Sequence, residues 1–127
     1  MSFRWISKHA VLAIHAEQIA EHGGASGIQD EGALESALAR PRNLFSYGKP
    51  SIFDLSAAYG YGIVQSHPFT DGNKRTGLVV SALFLDLNGW KLNAPEAVTV
   101  DLFFRLADGK VTQKALSGWF EANCLRR

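Results

Sequence analysis

Between His67 and Thr76 the chain reads His67-Pro68-Phe69-Thr70-Asp71-Gly72-Asn73-Lys74-Arg75-Thr76. An acid–base residue, a carboxylate, a glycine turn, an amide and two cations fall within nine positions. The apolar run that follows, Gly77 to Leu85, is long enough to form a buried helix. The stretch therefore predicts a short loop that feeds a helix N-terminus, where free N–H groups and the positive end of the helix dipole favour an anion. Lys74 adds a mobile point charge and Arg75 a forked one. Asp71 is an oxygen ligand of the kind Mg²⁺ takes when phosphates complete its shell. His67 is the side chain of the set whose ordinary titration range suits proton abstraction near neutral pH. The chemistry these types describe is phosphoryl or nucleotidyl transfer to a hydroxyl.

Taken singly, each residue has an ordinary structural reading. A histidine beside a proline is commonly a turn residue, and Asp71-Gly72-Asn73 is a common turn with a helix-capping side chain. Lys74 and Arg75 fit that reading poorly, because cations in the first turn of a helix oppose its dipole. A pair of them there makes sense when a polyanion occupies the site.

The same residues carry a resemblance. The stretch resembles the signature of the Fic/Doc family, which runs His-Pro-Phe-x-Asp/Glu-Gly/Ala-Asn-Gly/Lys-Arg. AMP-transferring Fic enzymes have glycine where this chain has Lys74, and a second arginine where it has Leu78. Asn73-Lys74-Arg75-Thr76 followed by an apolar residue resembles the Doc (death-on-curing) toxin branch instead. Residues 23–41, with Gly23-Gly24, Gly27-Ile28-Gln29-Asp30 and Leu34 to Pro41, share in that resemblance.

The Doc likeness implies the toxin of a toxin–antitoxin pair: a kinase that moves the γ-phosphate of ATP to a threonine of elongation factor Tu and arrests translation. It implies ATP as substrate, Mg²⁺ held by Asp71 through phosphates, and His67, Asp71 and Lys74 in catalysis. Gly72, Asn73, Lys74 and Arg75 would bind phosphate, and Phe69 would anchor the loop in the core. Adenylyl transfer to a Ser, Thr or Tyr hydroxyl is the alternative chemistry. It requires the α-phosphate beside His67, so the nucleotide would lie the other way round. A non-enzymatic module that binds an antitoxin or another protein is the alternative from a different class. Family members carry a flap that aligns the target before the third helix, which places it at Arg42–Ser51 with Phe45 and Tyr47 as contacts. Some Fic enzymes also carry an inhibitory helix of pattern Ser/Thr-x-x-x-Glu-Gly/Asn. Ser117 to Ala122 comes near it, with Glu121 in place but Ala122 where Gly or Asn belongs. The Doc likeness implies inhibition in trans instead, by an antitoxin helix near the active loop.

Composition narrows the classes further. A chain of 127 residues with 46% hydrophobic content and a net charge of +1 predicts one folded domain over 1–127. So small a charge disfavours direct nucleic-acid binding. One cysteine, Cys124, supplies neither a disulfide nor a metal-site spacing. The N-terminus lacks the apolar core of a signal peptide, and no window reaches the roughly 18 apolar residues of a membrane span. The expectation is a cytoplasmic protein.

The elements that must position the loop read as all-α, a Fic-type bundle of about six helices with the active loop between the third and fourth. Ser7–His22 has helical apolar spacing and stops at Gly23-Gly24. Its His9, His15 and His22 are too far apart for one metal ion, since two turns separate the last two by about 10 Å. They read as partly buried or solvated. Asp30 caps Glu31–Arg40, and Pro41 ends it. Ile52–Ser66 is the third helix, with Gly60 and Gly62 letting the following helix approach closely. Pro68 biases His67 toward extended backbone and pre-sets it. Asn73–Asn88, apolar nearly all round, reads as the helix surrounded by the others. Trp90–Asn93 is an extended link. Helices from Pro95 to Ala107 and from Thr112 to Asn123 complete the chain, with Leu116, Trp119 and Phe120 facing inward.

Overall fold

The computed structural model describes residues 2–127. Its elements, in order, are α1 (Lys8–His22), α2 (Glu31–Tyr47), α3 (Ile52–Ser66), α4 (Asn73–Leu87), β1 (Trp90–Leu92), α5 (Glu96–Ala107), α6 (Gln113–Ala122) and β2 (Cys124–Arg126). The all-α reading holds, with six helices among the described residues and a two-stranded antiparallel ribbon that pairs Trp90 with Arg126 and Leu92 with Cys124. Three residues per strand are too few to show alternation in a sequence.

Local chemistry sets the helix starts. Ser7, Asp30, Ser51 and Thr112 each accept a backbone N–H from the first turn of α1, α2, α3 and α6. Ser51 and Asp54 form a reciprocal capping box at α3. The Asp54 carboxylate also accepts a hydrogen bond from the Ser117 hydroxyl at 2.6 Å, which ties α6 to this end of α3.

The most enclosed helix is α3 rather than α4. Phe53, Leu55, Tyr59, Ile63 and Val64 are buried along it, together with Ser56, Ala57, Ala58, Gly60 and Gly62. These small residues let α2, α4 and α6 close in on separate sides. A Cβ on Gly60 would lie 2.3 Å from Ser81 Oγ of α4, and one on Gly62 would lie 3.3 Å from the Ala37 carbonyl oxygen of α2. On α4, a Cβ at Gly77 would meet Val64 at 2.9 Å. Across the same seam Ser56 donates to the Ser81 carbonyl at 2.9 Å, while the Ser81 hydroxyl lies 2.8 Å from the Gly77 carbonyl of its own helix and 3.3 Å from the Ser56 carbonyl. One apolar cluster gathers Val11, Leu34, Tyr59, Phe69 and Phe84 on the α1–α2 side, and another gathers Leu85, Phe103, Leu116 and Phe120 on the α5–α6 side. In α4, Leu78, Val79, Ala82 and Leu83 stay half-buried.

Two expectations fail here for physical reasons. Pro41 does not end α2, which continues to Tyr47 with Pro41 buried inside it. A proline at 41 leaves the Ala37 carbonyl without its N–H partner, and that carbonyl faces Gly62, where no side chain intervenes. The segment expected as a flap is therefore mostly helix. Phe45 packs edge-on against Phe3 and Trp5, with centroids 5.8 and 5.5 Å away, while Tyr47 is 90% exposed. Both lie toward the start of α3, whereas the active loop follows its end. Fifteen helical residues separate the two ends by roughly 20 Å. Ser117, the first residue of the pattern that reaches Glu121, is bonded to Asp54 at the start of α3, the end away from the active loop.

Candidate active site

The loop between α3 and α4 begins with a backbone reversal. His67 caps α3 with its N–H bonded to the Ile63 carbonyl, at φ 50 and ψ 54. This left-handed conformation replaces the extended one that Pro68 predicts. A helix that ends through such a cap needs a left-handed residue, most often glycine, and histidine there is held at some conformational cost. It is the one non-glycine residue with positive φ among the described residues. The cap turns the His67 side chain out of the helix, and the residue is exposed.

Pro68 and Phe69 then return to the core. Phe69 is fully buried, as the anchor reading requires. Its backbone is gripped by the Asn73 side chain: the Phe69 N–H donates to Asn73 Oδ1 at 3.0 Å, and Asn73 Nδ2 donates to the Phe69 carbonyl at 2.9 Å. Asn73 is buried, and its amide is spent on the loop. What it can offer an anion is its backbone N–H.

Asp71 is exposed and held at two points. Its carboxylate oxygen Oδ2 accepts the Ala25 N–H at 2.7 Å, and its backbone carbonyl accepts from His15 Nε2 at 2.8 Å. Gly72 supplies the turn into α4 at φ 81, and a Cβ there would lie 3.1 Å from Ile19. No side chain caps α4. Its first turn carries Lys74 and Arg75 in place of the acids that suit such an end. Both cations rest on α5: the Lys74 ammonium lies 4.9 Å from the centroid of the Phe104 ring, and Arg75 lies 3.7 Å from Glu96.

The structure thus brings together the residues read from the sequence. His67, Asp71, Gly72, Asn73, Lys74 and Arg75 line one cleft of about 150 Å³, closed on its far side by Val64, Phe104 and Ala107. Phe104, 49% exposed, is a cleft residue that the sequence reading left out. Nothing marks it along the chain, since α5 reaches the loop only by folding back. Phe45 and Tyr47 are not part of the cleft. The backbone that does lie beside the loop is the irregular stretch at residues 24–30, bent at Gly27 and Gln29. Ile28 bridges to Phe69, Thr70 N–H donates to the Gly27 carbonyl, and the Gln29 and Asp30 N–H groups donate to the Pro68 carbonyl. His15, read as an ordinary histidine, was the other omission.

Among the described residues, no cluster of three or more His, Cys, Asp or Glu could hold a metal ion alone. No helix among them is long and apolar enough to cross a membrane.

An uncapped helix N-terminus, two cations, a carboxylate and a histidine thus share one loop of a helical bundle. Residues 5–85 match the sequence profile of the Fic/DOC family. The chain is 32% identical over 126 residues to a protein named Protein kinase doc from Escherichia phage P1, covering 98% of this chain and 94% of the phage protein. It is 37% identical over 75 residues to Toxin Doc of Mycolicibacterium smegmatis, covering 57% of each. This chain belongs to the Fic/Doc family.

Proposed function

We propose that the protein is a Doc-like toxin that transfers the γ-phosphate of ATP to a threonine hydroxyl of a translation factor, elongation factor Tu by family likeness. One observation carries this reading. The uncapped start of α4, with Lys74 and Arg75 in its first turn, opens into the same cleft as His67 and Asp71. The names of the two relatives support the toxin and kinase parts of it.

The backbone N–H groups of the first turn of α4, with the Lys74 and Arg75 side chains, hold the polyphosphate. The residues present fit Mg²⁺ of the phosphate-completed kind. Asp71, a lining residue of the cleft, has one carboxylate oxygen on Ala25 N–H, and among the described residues no cluster of three His, Cys, Asp or Glu makes a protein-only site. Bound there, Mg²⁺ would neutralise phosphate charge. The threonine oxygen attacks the γ-phosphorus, the bond to the β,γ-bridging oxygen breaks, ADP leaves, and the hydroxyl proton passes to the exposed His67 imidazole. Positioning and charge stabilisation supply most of the rate in such transfers. The target segment is held beside the loop along residues 24–30, by the backbone groups there that the loop does not use. A cleft of about 150 Å³ is smaller than the ~300 Å³ at the low end of pockets for whole small-molecule ligands, so the ribose and base extend outside it. Lys74 and Leu78 stand where AMP-transferring relatives have glycine and arginine, which favours the γ-phosphate over the α-phosphate beside His67.

A cognate antitoxin is the second partner. Its helix fits the groove beside Arg75, where Leu78, Val79 and Val100 form an apolar floor between Glu21 and Glu96.

The test uses ATP labelled in parallel at the γ- and α-phosphates, with Mg²⁺ and a bacterial lysate. Label from γ alone, reduced about 10²–10⁴-fold by His67→Ala, is the expected result. Label from α refutes kinase action in favour of AMP transfer, and label from neither refutes both.

A further inference from the structure

His15 is a buried titratable residue for which the proposed mechanism has no use. It is 5% exposed on the inner face of α1, and its ring stacks on Phe69 with centroids 3.8 Å apart and planes 8° apart. Its Nε2 lies 2.8 Å from the Asp71 carbonyl oxygen. A carbonyl only accepts, so Nε2 carries the hydrogen and donates. One ring therefore contacts both the buried anchor of the loop and Asp71, a lining residue of the cleft. Next to it, Gly72 leaves no room for a side chain, with Ile19 3.1 Å and His15 3.5 Å from where a Cβ would sit. Loop, ring and helix are in contact throughout.

We infer that His15 is a positioning residue: it fixes the Asp71 backbone, and through it the direction in which the carboxylate faces the cleft. Asp71 is otherwise exposed, and its further restraint is the Ala25 N–H at the other end of the residue. With the carbonyl released, the Asp71 backbone can shift at the αL glycine that follows it, and the carboxylate is displaced with its Cα. With the carbonyl held, Ala25 and the cleft receive the carboxylate in one orientation. This deepens the reading in which Asp71 serves Mg²⁺ and phosphates, and rests on it. Groups that orient a ligating carboxylate commonly change metal affinity or activity by about 10–100-fold when removed.

Two variants separate the donor from the ring. His15→Phe keeps a flat ring against Phe69 and removes the hydrogen bond. His15→Gln carries an amide N–H near the Nε2 position. Amide hydrogen exchange, read on the ligand-free proteins, reports whether Asp71 still holds Ala25. The expected pattern is an Ala25 N–H protected in the parent, about 10-fold less protected in His15→Phe, and protected again in His15→Gln. Titration of Mg²⁺ in the presence of ATP should show half-saturation raised about 10–100-fold in His15→Phe and recovered in His15→Gln, with ATP binding in EDTA unchanged. Ala25 exchange in His15→Phe equal to the parent overturns the inference. A parent that binds no Mg²⁺ with ATP overturns the phosphotransfer reading instead, and the exchange pattern alone then decides whether His15 holds the loop.

Discussion

Replacing Asn73 by alanine separates two roles that its place in the loop would otherwise confuse. The family likeness makes Asn73 a phosphate-binding residue, yet the structure uses both ends of its amide on the Phe69 backbone, at 3.0 and 2.9 Å. Asn73 is 4% exposed and Phe69 0%, so truncation leaves a buried N–H and a buried carbonyl with no partner. Each orphaned group costs about 1–3 kcal/mol, and local relaxation recovers part of that. The expected loss is about 2–4 kcal/mol, or a fall in Tm of roughly 10 °C for a chain of this size. Urea unfolding measures the loss directly, and amide exchange at Phe69 localises it to the loop. An Asn73→Ala protein as stable as the parent, with Phe69 equally protected, but no longer binding ATP would refute the argument. It would mean that the side chain acts on the ligand and not on the loop.

Other consequences can be measured on the same protein. Burial raises the Asp54 carboxyl, but the hydrogen bonds from Ser117 and Ser51 outweigh it and hold the group below its ordinary value of 3.8. A lowered carboxyl stabilises the fold above its unfolded-state pKa and loses that contribution as pH falls through the folded value. Tm should thus drop below about pH 4, and Asp54→Asn should show a flatter acid limb. Gly60→Ala puts a methyl group 2.3 Å from Ser81 Oγ and should cost about 1–3 kcal/mol in chemical denaturation, despite alanine's better helix propensity. Burial pushes the Cys124 thiol up to about 11, so iodoacetamide at pH 8 should modify it roughly 100-fold more slowly than a free cysteine.

Much of this was legible along the chain because the information is local. Asp30, Thr112 and Pro95 mark helix starts by short-range chemistry, and the loop residues sit side by side. The apolar run after Arg75 announces the helix that presents them. Gly60 also read correctly as a close-approach site for the following helix, since glycine inside a helix is costly unless something needs the space, whereas Gly62 admits α2 instead. What escaped depends on distant partners. Pro41 stays inside α2 as a buried residue, with the Ala37 carbonyl that it frees lying against Gly62 of α3. His67 turns left-handed because its N–H must close the end of α3, a demand that outweighs the preference set by Pro68. His15 and Phe104 reach the loop from opposite ends of the sequence, and no spacing links them to it. Phe45 looked free because its partners, Phe3 and Trp5, lie some forty residues earlier.

The glycine–serine seam between α3 and α4 has a consequence for how the cleft can change shape. Backbone meets backbone at Gly60 and Gly77, with a Cβ at Gly77 only 3.2 Å from the Gly60 carbonyl oxygen. Side-chain interfaces can slide by switching rotamers, but a contact of this kind has no rotamers to switch. The six residues from His67 to Gly72 therefore span two ends whose separation is fixed, and Asn73 pins the middle. A lid that opens by collective motion, on microseconds to milliseconds, has no hinge here. The Lys74 and Arg75 side chains remain free to move, each swinging off α5 in the picoseconds to nanoseconds of an exposed rotamer change. On the proposed function, a phosphate chain should enter at the speed of side chains, leaving the encounter itself to set the pace.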